Sequence, residues 1–303
     1  MTSSYIEVRV LVPTGWHELV AEVVAIGPCT SVVFGRPNLG VDAIPDGFEL
    51  VRTFYPGDDD TPALRDAIAT GLADLATRVD APELDGLAPT FHELPAEDWA
   101  TSWKKSWRPF RVGRLAVVTR DWDGARKPDD LPLVLEPGGA FGTGRHATTR
   151  TCLAVLQERG VDGARVLDAG TGTGILSVAA AKLGAAACLG FDIDPRSEVE
   201  AGELAAVNGV GEACRFRTGD FGVLGPDDTA FGVVLGNIYS DVLQAHAADL
   251  AARLAPTGWF AFSGCPDRHA TATRAAIEAA GLQVEEQRQR GRWVTFVGRP
   301  LER

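Results

Sequence analysis

Apolar and polar positions over the first ninety residues follow the pattern of a small α+β domain. The segment "YIEVRVLV" alternates as a half-buried strand should, and "CTSVVFG", "FELVRTFY" and "PTFHEL" have the composition of three more strands. The segment "GWHELVAEVVAIG" places its apolar residues on one helical face. A second helix is predicted from Thr61, at the N-cap position, and Pro62, at the first helical position. The order βαββαβ predicts a ferredoxin-like domain over residues 1–94, a fold that by itself indicates no function.

A tryptophan-rich segment follows this domain. Trp99, Trp103 and Trp107 recur every four residues, which places them along one side of a helix, with the intervening basic residues turned away. We interpret this stripe as a surface that packs between two domains, and a substrate-facing aromatic surface is the alternative. The pattern predicts a helical linker over residues 95–112.

From residue 131 the pattern becomes that of an α/β domain. Nearly continuous apolar runs such as "ARVLDAG" and "FGVVLGNI" are typical of buried parallel strands, and they alternate with helical segments. The chain closes with a hairpin pattern in "LQVEEQRQRGRWVTFVGRP". This alternation predicts a doubly wound, Rossmann-like sheet of about seven strands in a domain spanning residues 113–303, with ligands at the carboxyl ends of its strands.

The charge of the chain is acidic and uneven. The net charge is −12, and residues 1–90 hold 5 Arg against 14 Asp and Glu. Because phosphate contacts need Lys and Arg, this balance argues against direct nucleic-acid readout. The acidic first domain either attracts a basic partner or simply keeps the protein soluble.

The cysteines and the apolar runs indicate the cell compartment. The five cysteines include no CxxC pair, and the histidines form no HExxH pattern, which argues against a disulfide framework and a metal site. The first residues lack the apolar core of a signal peptide, and no apolar run reaches transmembrane length. We therefore expect a cytoplasmic, monomeric protein without a membrane contact.

The first strand of the α/β domain leads into a glycine-rich loop, "DAGTGTG", from Asp168 to Gly174. Glycine lets the backbone turn tightly and approach a ligand closely. A dinucleotide fingerprint counted from Gly170 requires glycine at position 175, where this chain has Ile175. No G-K-[ST] follows the loop, which excludes a P-loop. The loop is instead D-x-G-x-G-x-G.

Polar residues stand at the ends of the following strands. Asp192 lies 22 residues after Gly170, where a carboxylate can accept both hydroxyls of a ribose. NAD and other nucleoside cofactors all carry a ribose, so this contact alone does not identify the cofactor. Asn237 ends the fourth strand, and its amide oxygen can accept hydrogen bonds from an incoming amine. The alternative for Asn237 is a turn residue at the end of a strand.

The D-x-G-x-G-x-G loop resembles that of the class I S-adenosylmethionine-dependent methyltransferases. The ordered motifs between residues 99 and 264 further resemble the ribosomal protein L11 methyltransferase family. These motifs are "WKKSWRPFRVG", "EPGGAFGTGRHATTR", "LDAGTGTGILSVAAAKLGA", "FDIDP", "NIYSDVL" and "FSG". The pattern FGTG-x-H-x-TT is the specific one, whereas many methyltransferases share the glycine loop.

The resemblance implies an enzyme that uses S-adenosylmethionine to methylate lysine side chains and the N-terminal amine of ribosomal protein L11. It implies that the first domain recognises this substrate and that the linker lets the two domains reorient. By position, the family's cofactor contacts fall on Thr149, Gly170, Asp192 and Asn237, and Asp220 stands where the family contacts adenine. The full set expected to bind the cofactor is Thr149, Asp168, Gly170, Gly172, Gly174, Asp192, Asp220 and Asn237.

The segment from Ala140 to Arg150 precedes the first strand of the α/β domain, so we interpret it as a lid over the cofactor. The lid would place Phe141 and His146 near the entering amine. His146 either takes a proton from this amine or ties the loop to the helix that follows, and we favour the second interpretation. The catalytic candidates are therefore Asn237, His146 and Phe141.

Three departures from the family pattern affect this interpretation. Ala147 stands where the family has proline, and Thr171 and Thr173 replace other small residues. Tyr239 and Ser240 replace a common Leu-Ala pair, which keeps open a related methyltransferase with another protein or a small-molecule amine as its substrate. An NAD-dependent oxidoreductase and a non-catalytic assembly factor that binds the cofactor are two further alternatives.

Overall fold

The computed structural model describes residues 4–27, 29, 31–34, 44–95, 109–120, 122, 124, 127–135, 144 and 146–301. The described residues fall into two compact units, one before residue 96 and one from residue 109 onward. None of the helices in these ranges is both long enough and apolar enough to cross a membrane.

The first unit is a four-stranded antiparallel sheet with two helices. Its elements are β1 (Ser4–Pro13), α1 (His17–Val24), β2 (Ser31–Phe34), β3 (Phe48–Pro56), α2 (Pro62–Arg78) and β4 (Thr90–Pro95). Two 3-10 turns, Gly57–Asp59 and Pro82–Leu84, flank α2. The strand order β2-β3-β1-β4 and the element order βαββαβ confirm the ferredoxin-like prediction.

The period-2 pattern of β1 decides which face of this sheet is buried. Ile6, Val8, Val10 and Val12 are buried, and Trp16 at the start of α1 is buried with them. The second helix begins as predicted, because the Thr61 side chain accepts a hydrogen bond from the backbone N–H of Leu64 at 3.2 Å.

A small three-stranded sheet opens the second unit. It consists of β5 (Phe110–Val112), β6 (Leu115–Val118) and β7 (Leu131–Val134), with β5 antiparallel and β7 parallel to β6. The helical linker predicted over residues 95–112 therefore gives way to a strand at Phe110, because Val112 is buried and β5 pairs with the apolar strand β6. The tryptophan stripe lies outside the described residues.

The rest of the second unit alternates strands and helices. The helices are α3 (Ala147–Arg159), α4 (Ile175–Lys182), α5 (Pro195–Val207), α6 (Ser240–Arg253) and α7 (Ala270–Ala279). The strands are β8 (Arg165–Ala169), β9 (Ala187–Asp192), β10 (Cys214–Thr218), β11 (Phe231–Asn237), β12 (Leu254–Pro266), β13 (Leu282–Arg290) and β14 (Trp293–Pro300). Short 3-10 turns span Phe221–Val223 and Asp267–His269.

These seven strands form one sheet in the order β10-β9-β8-β11-β12-β14-β13. The strands β8 to β12 run parallel, and β13 and β14 form an antiparallel hairpin against β12, which confirms the predicted doubly wound sheet. The strand order reverses between β8 and β11, and in such sheets ligands bind in the crevice at this reversal.

Candidate active site

The glycine loop after β8 has a backbone that only glycine adopts easily. Gly170, Gly172 and Gly174 have φ angles of +68°, +52° and +78°. A Cβ atom added at Gly170 would overlap with the Ile238 side chain, and one added at Gly174 would lie 2.6 Å from Cβ of Ala201. The glycines therefore serve both the turn of the loop and its close packing against β11 and α5.

Most backbone N–H groups of this loop already have partners within the protein. The N–H groups of Gly170 and Thr171 both donate to the carbonyl of Phe191, at 2.9 and 3.0 Å. The N–H of Gly172 donates to Asp192 at 2.8 Å, and that of Gly174 donates to the carbonyl of Thr171 at 2.9 Å. A pyrophosphate needs such N–H groups for itself, so this loop favours a cofactor without one.

Asp168 lies beneath the loop and is fully buried. Its Oδ2 accepts hydrogen bonds from the hydroxyls of Thr171 and Ser177, both at 2.8 Å, and its Oδ1 has no partner among the described residues. Burial raises the pKa of this carboxyl group, and the two hydroxyls lower it in part. Asp168 thus joins the loop to α4, and its contact with a cofactor stays a prediction.

Asp192 ends β9 beside the loop. Its Oδ2 accepts the N–H of Gly172 at 2.8 Å, and its Oδ1 accepts the N–H of Asp194 at 3.0 Å. Burial raises the pKa of the Asp192 carboxyl group. A carboxylate has about four acceptor positions, so this group has capacity left for a hydroxyl of a ribose.

The next residue is one that the sequence pattern did not reveal. Ile193 is 77% exposed, although isoleucine is among the residues most often buried. An exposed apolar side chain beside a carboxylate that is predicted to bind a ribose suits the flat face of an adenine ring. Hydropathy could not single out Ile193, because it stands in an apolar strand sequence, "CLGFDID".

Asp220 stands on the far side of Asp192 from the loop. It follows β10, is exposed, and accepts the N–H of Gly222 at 2.8 Å as the cap of a 3-10 turn. The N–H of Gly219 donates to the carbonyl of Asp192 at 2.8 Å. The ends of β9 and β10 therefore lie side by side at this edge of the sheet.

Asn237 and Thr149 come together at the end of β11. The Asn237 amide Nδ2 donates to the Thr149 hydroxyl at 3.3 Å, and the Thr149 side chain is buried. This bond directs the amide nitrogen toward α3 and leaves the Asn237 oxygen for another donor. The same residue adjoins the glycine loop, since a Cβ atom at Gly170 would lie 4.0 Å from the Asn237 carbonyl oxygen.

His146 is built into the start of α3. Its side chain is buried, and its Nδ1 accepts the N–H of Thr148 at 3.2 Å, which caps the helix. Its ring also packs edge-on against Trp293, with the ring centroids 4.9 Å apart. These contacts favour the structural role of His146 over a role as a base.

We expect His146→Ala to destabilise the protein but to keep turnover at neutral pH within about threefold of the unmodified enzyme. Loss of a helix cap costs about 0.5–2 kcal/mol, and His146→Asn should restore part of that stability because asparagine is a good cap. Thermal unfolding and the pH profile of kcat check this. A large fall in kcat in both variants, with loss of the neutral-pH limb, would instead identify a base.

Other expectations for the amine side have different outcomes. Phe141 lies outside the described residues. Gly144 has a φ of +70°, and a Cβ atom there would lie 2.6 Å from Ile175, so its backbone is closely packed. Ser240, at the start of α6, is buried, and its hydroxyl is hydrogen-bonded to His269 Nδ1 at 2.8 Å.

No group of three or more metal-binding side chains occurs among the residues that the structure describes.

The sheet order, the D-x-G-x-G-x-G loop and the acid at the end of β9 define a class I S-adenosylmethionine-dependent methyltransferase. The chain belongs to the ribosomal protein L11 methyltransferase family, whose model, described as "Ribosomal protein L11 methyltransferase (PrmA)", matches residues 5–300.

Individual relatives agree with the family model. Proteins named ribosomal protein L11 methyltransferase from Pelobacter propionicus and Chloroflexus aurantiacus are 33% and 35% identical, and the matches cover 100% and 98% of both chains. The crystal structure of a ribosomal protein L11 methylase from Lactobacillus delbrueckii subsp. bulgaricus is 28% identical, with a TM-score of 0.59. That match covers 65% of this chain and 100% of the other.

Proposed function

We propose that this protein transfers methyl groups from S-adenosylmethionine to lysine side chains and the N-terminal amine of ribosomal protein L11. The observation that carries the proposal is the hydrogen bond from Asn237 to Thr149 beside the glycine loop. It presents a fixed amide oxygen at the carboxyl edge of the sheet, where a cofactor lying on the loop meets an incoming amine.

The residues at this edge suit S-adenosylmethionine. The half-buried carboxylate of Asp192 would hold the ribose, and the exposed Ile193 would cover one face of the adenine. The glycine loop would form the floor, and Thr149 would lie at the methionine end. The partners of the loop N–H groups favour this cofactor over NAD, which carries a pyrophosphate.

The bound cofactor supplies a methyl group on a cationic sulfur that an amine lone pair can attack in line. A lysine amine, with an ordinary pKa of about 10.4, must first lose a proton to the solvent so that its lone pair becomes free. The Asn237 oxygen then accepts a hydrogen bond from one of the remaining N–H groups of the amine. This bond holds the amine lone pair toward the methyl carbon. Alignment of this kind can supply about 7–11 kcal/mol of the barrier.

We expect Asp192→Asn to weaken S-adenosylmethionine binding by roughly 10- to 100-fold, because a hydrogen bond to a charged group contributes about 1.5–3 kcal/mol. Since burial raises the pKa of Asp192, affinity should also fall on acidification at a pH above the ordinary range of an aspartate. Asp194→Asn is the control for affinity at neutral pH, because Asp194 caps α5 and asparagine caps equally well. Besides burial, the Asp194 charge contributes to the raised pKa of Asp192, so this variant should lose affinity at a lower pH than the unmodified protein. Calorimetric titration over pH measures both effects, and equal affinities for the two variants would remove Asp192 from the cofactor site.

The same proposal assigns a different role to each of the two parts of the chain. The first unit recognises the substrate, the segment between the two units links them, and the second unit, which begins with the sheet that contains β5, binds the cofactor. The first unit offers two exposed apolar side chains, Leu11 and Phe48, on the sheet face opposite the buried valines of β1. We further propose that the enzyme works as a cytoplasmic monomer, without a metal ion and without direct nucleic-acid readout.

The alternatives are separated by what binds and what is methylated. Titration with S-adenosylmethionine and with NAD distinguishes the methyltransferase from an oxidoreductase, and binding of NAD alone would contradict the proposal. An acceptor screen with ribosomal protein L11, other basic proteins and small amines separates this substrate from a related one. A protein that binds cofactor and L11 but transfers no methyl group would be an assembly factor.

A further inference from the structure

A carboxylate on α5 holds the end of β10. The Glu198 Oε2 accepts two hydrogen bonds from Thr218, one from the backbone N–H at 2.8 Å and one from the hydroxyl at 2.6 Å. Thr218 is the last residue of β10, and Glu198 lies in the first turn of α5. One side chain therefore bridges the helix after β9 and the strand next to it.

The position of β10 explains why this bridge matters. Among the strands that the structure describes, β10 lies at the edge of the sheet with β9 as its neighbour, and no described strand pairs with the outer side of its backbone. Thr218 pairs with Asp192 across the two strands, and the N–H of the following Gly219 donates to the carbonyl of Asp192 at 2.8 Å. The Thr218 N–H takes no part in the hydrogen bonds between β9 and β10 and donates to Glu198 Oε2 instead.

The turn that follows Thr218 has little freedom of its own. Gly219 has a φ of +144°, and a Cβ atom there would overlap with the Val223 side chain. Asp220 caps the 3-10 turn through Gly222. The Glu198 bond thus fixes the residue from which this turn starts, immediately beside the Asp192 carboxylate.

We propose that Glu198 is a positioning residue for the adenosine half of the cofactor site. It holds Thr218, and through Thr218 it sets the position of the Gly219–Asp220 turn relative to Asp192. The inference rests on the proposed function, since it requires S-adenosylmethionine to lie against the ends of β9 and β10. Because the reacting methyl group lies at the Asn237 end, Glu198 affects cofactor affinity and leaves the transfer step unchanged.

Variants at both ends of the bridge test this role. We expect Glu198→Ala to weaken S-adenosylmethionine and S-adenosylhomocysteine alike, by about five- to tenfold, because both share the adenosine. Glu198→Gln keeps an acceptor oxygen and should recover most of the affinity. Thr218→Val removes only the hydroxyl and should fall between them. Glu203→Gln is the control, an exposed glutamate on the same helix.

Calorimetry measures the affinities, and steady-state kinetics separates the steps. The KM for S-adenosylmethionine should rise in Glu198→Ala, while kcat at saturating cofactor and the KM for the amine acceptor stay unchanged. A Glu198→Ala variant with lowered melting temperature but unaltered cofactor affinity would show a purely structural bond and overturn the inference. Failure of the unmodified protein to bind S-adenosylmethionine would overturn the proposed function and this inference together, whereas normal binding with no effect of the variants overturns the inference alone.

Discussion

Replacing Asn237 by alanine is expected to lower kcat for methyl transfer by about 10²- to 10³-fold, with little change in the melting temperature. The amide oxygen is the group that we expect to hold the amine lone pair in line with the methyl group, and loss of such a positioned group has effects of this size. Asn237 is only half-buried, so alanine leaves no large cavity in the core.

Thr149→Val provides the matched variant for this experiment. Valine keeps the shape of threonine but removes the hydroxyl that accepts the Asn237 Nδ2–H. The amide then loses its fixed orientation but keeps its oxygen, so we expect a smaller loss in kcat, roughly tenfold. An Asn237→Ala enzyme with kcat within about threefold of normal, measured at saturating cofactor, would assign Asn237 to a turn of the chain and not to the reaction.

Replacing Gly170 by alanine is expected to destabilise the protein by roughly 2–4 kcal/mol and to abolish measurable cofactor binding. A positive φ costs alanine about 1 kcal/mol, and the overlap of its Cβ atom with Ile238 adds about 1–3 kcal/mol. Relief of this overlap moves the loop away from Asn237 and Asp192, so binding should be lost even in the fraction that stays folded.

Gly209→Ala separates the cost of a positive φ angle from the cost of the overlap of the Cβ atom. Gly209 has a φ of +71°, close to the +68° of Gly170, but nothing lies within 4 Å of a Cβ atom at this position. This control should lose only about 1 kcal/mol and should bind S-adenosylmethionine normally. Chemical denaturation and calorimetry compare the two variants, and equal losses of stability with intact binding in both would contradict the tight packing inferred for the loop.

The fold could be predicted from the sequence largely because its elements carry local signals. The apolar run of β8, the proline at the start of α5 and the Thr61-Pro62 cap each determine a boundary within one or two residues. The three-residue strand β5 has no such signal, because its pairing with β6 and not its composition makes it a strand. The predicted helical range consequently ran too far, to residue 112.

The candidate site likewise combines residues that local sequence patterns predict with residues that come together only in the folded chain. The glycine loop and Asp192 are close in sequence and follow from local patterns, whereas Asn237 and Thr149 lie 88 residues apart and meet only in the folded chain. The position of Asn237 at the end of a strand already predicts a site residue, whereas Thr149 is assigned to the cofactor only through resemblance to a family. Glu198 shows the limit most clearly, because a glutamate at the start of a helix looks like an ordinary exposed residue until its partner on β10 is known.

The mass of ribosomal protein L11 after incubation with the enzyme and S-adenosylmethionine tests the central claim most directly. We predict that the mass rises by whole multiples of a CH₂ group, with the added groups on lysine side chains and the N-terminal amine. The Asn237→Ala enzyme should leave it almost unchanged over the same time. An unmodified L11, in the presence of an enzyme that binds the cofactor, would contradict the proposed function.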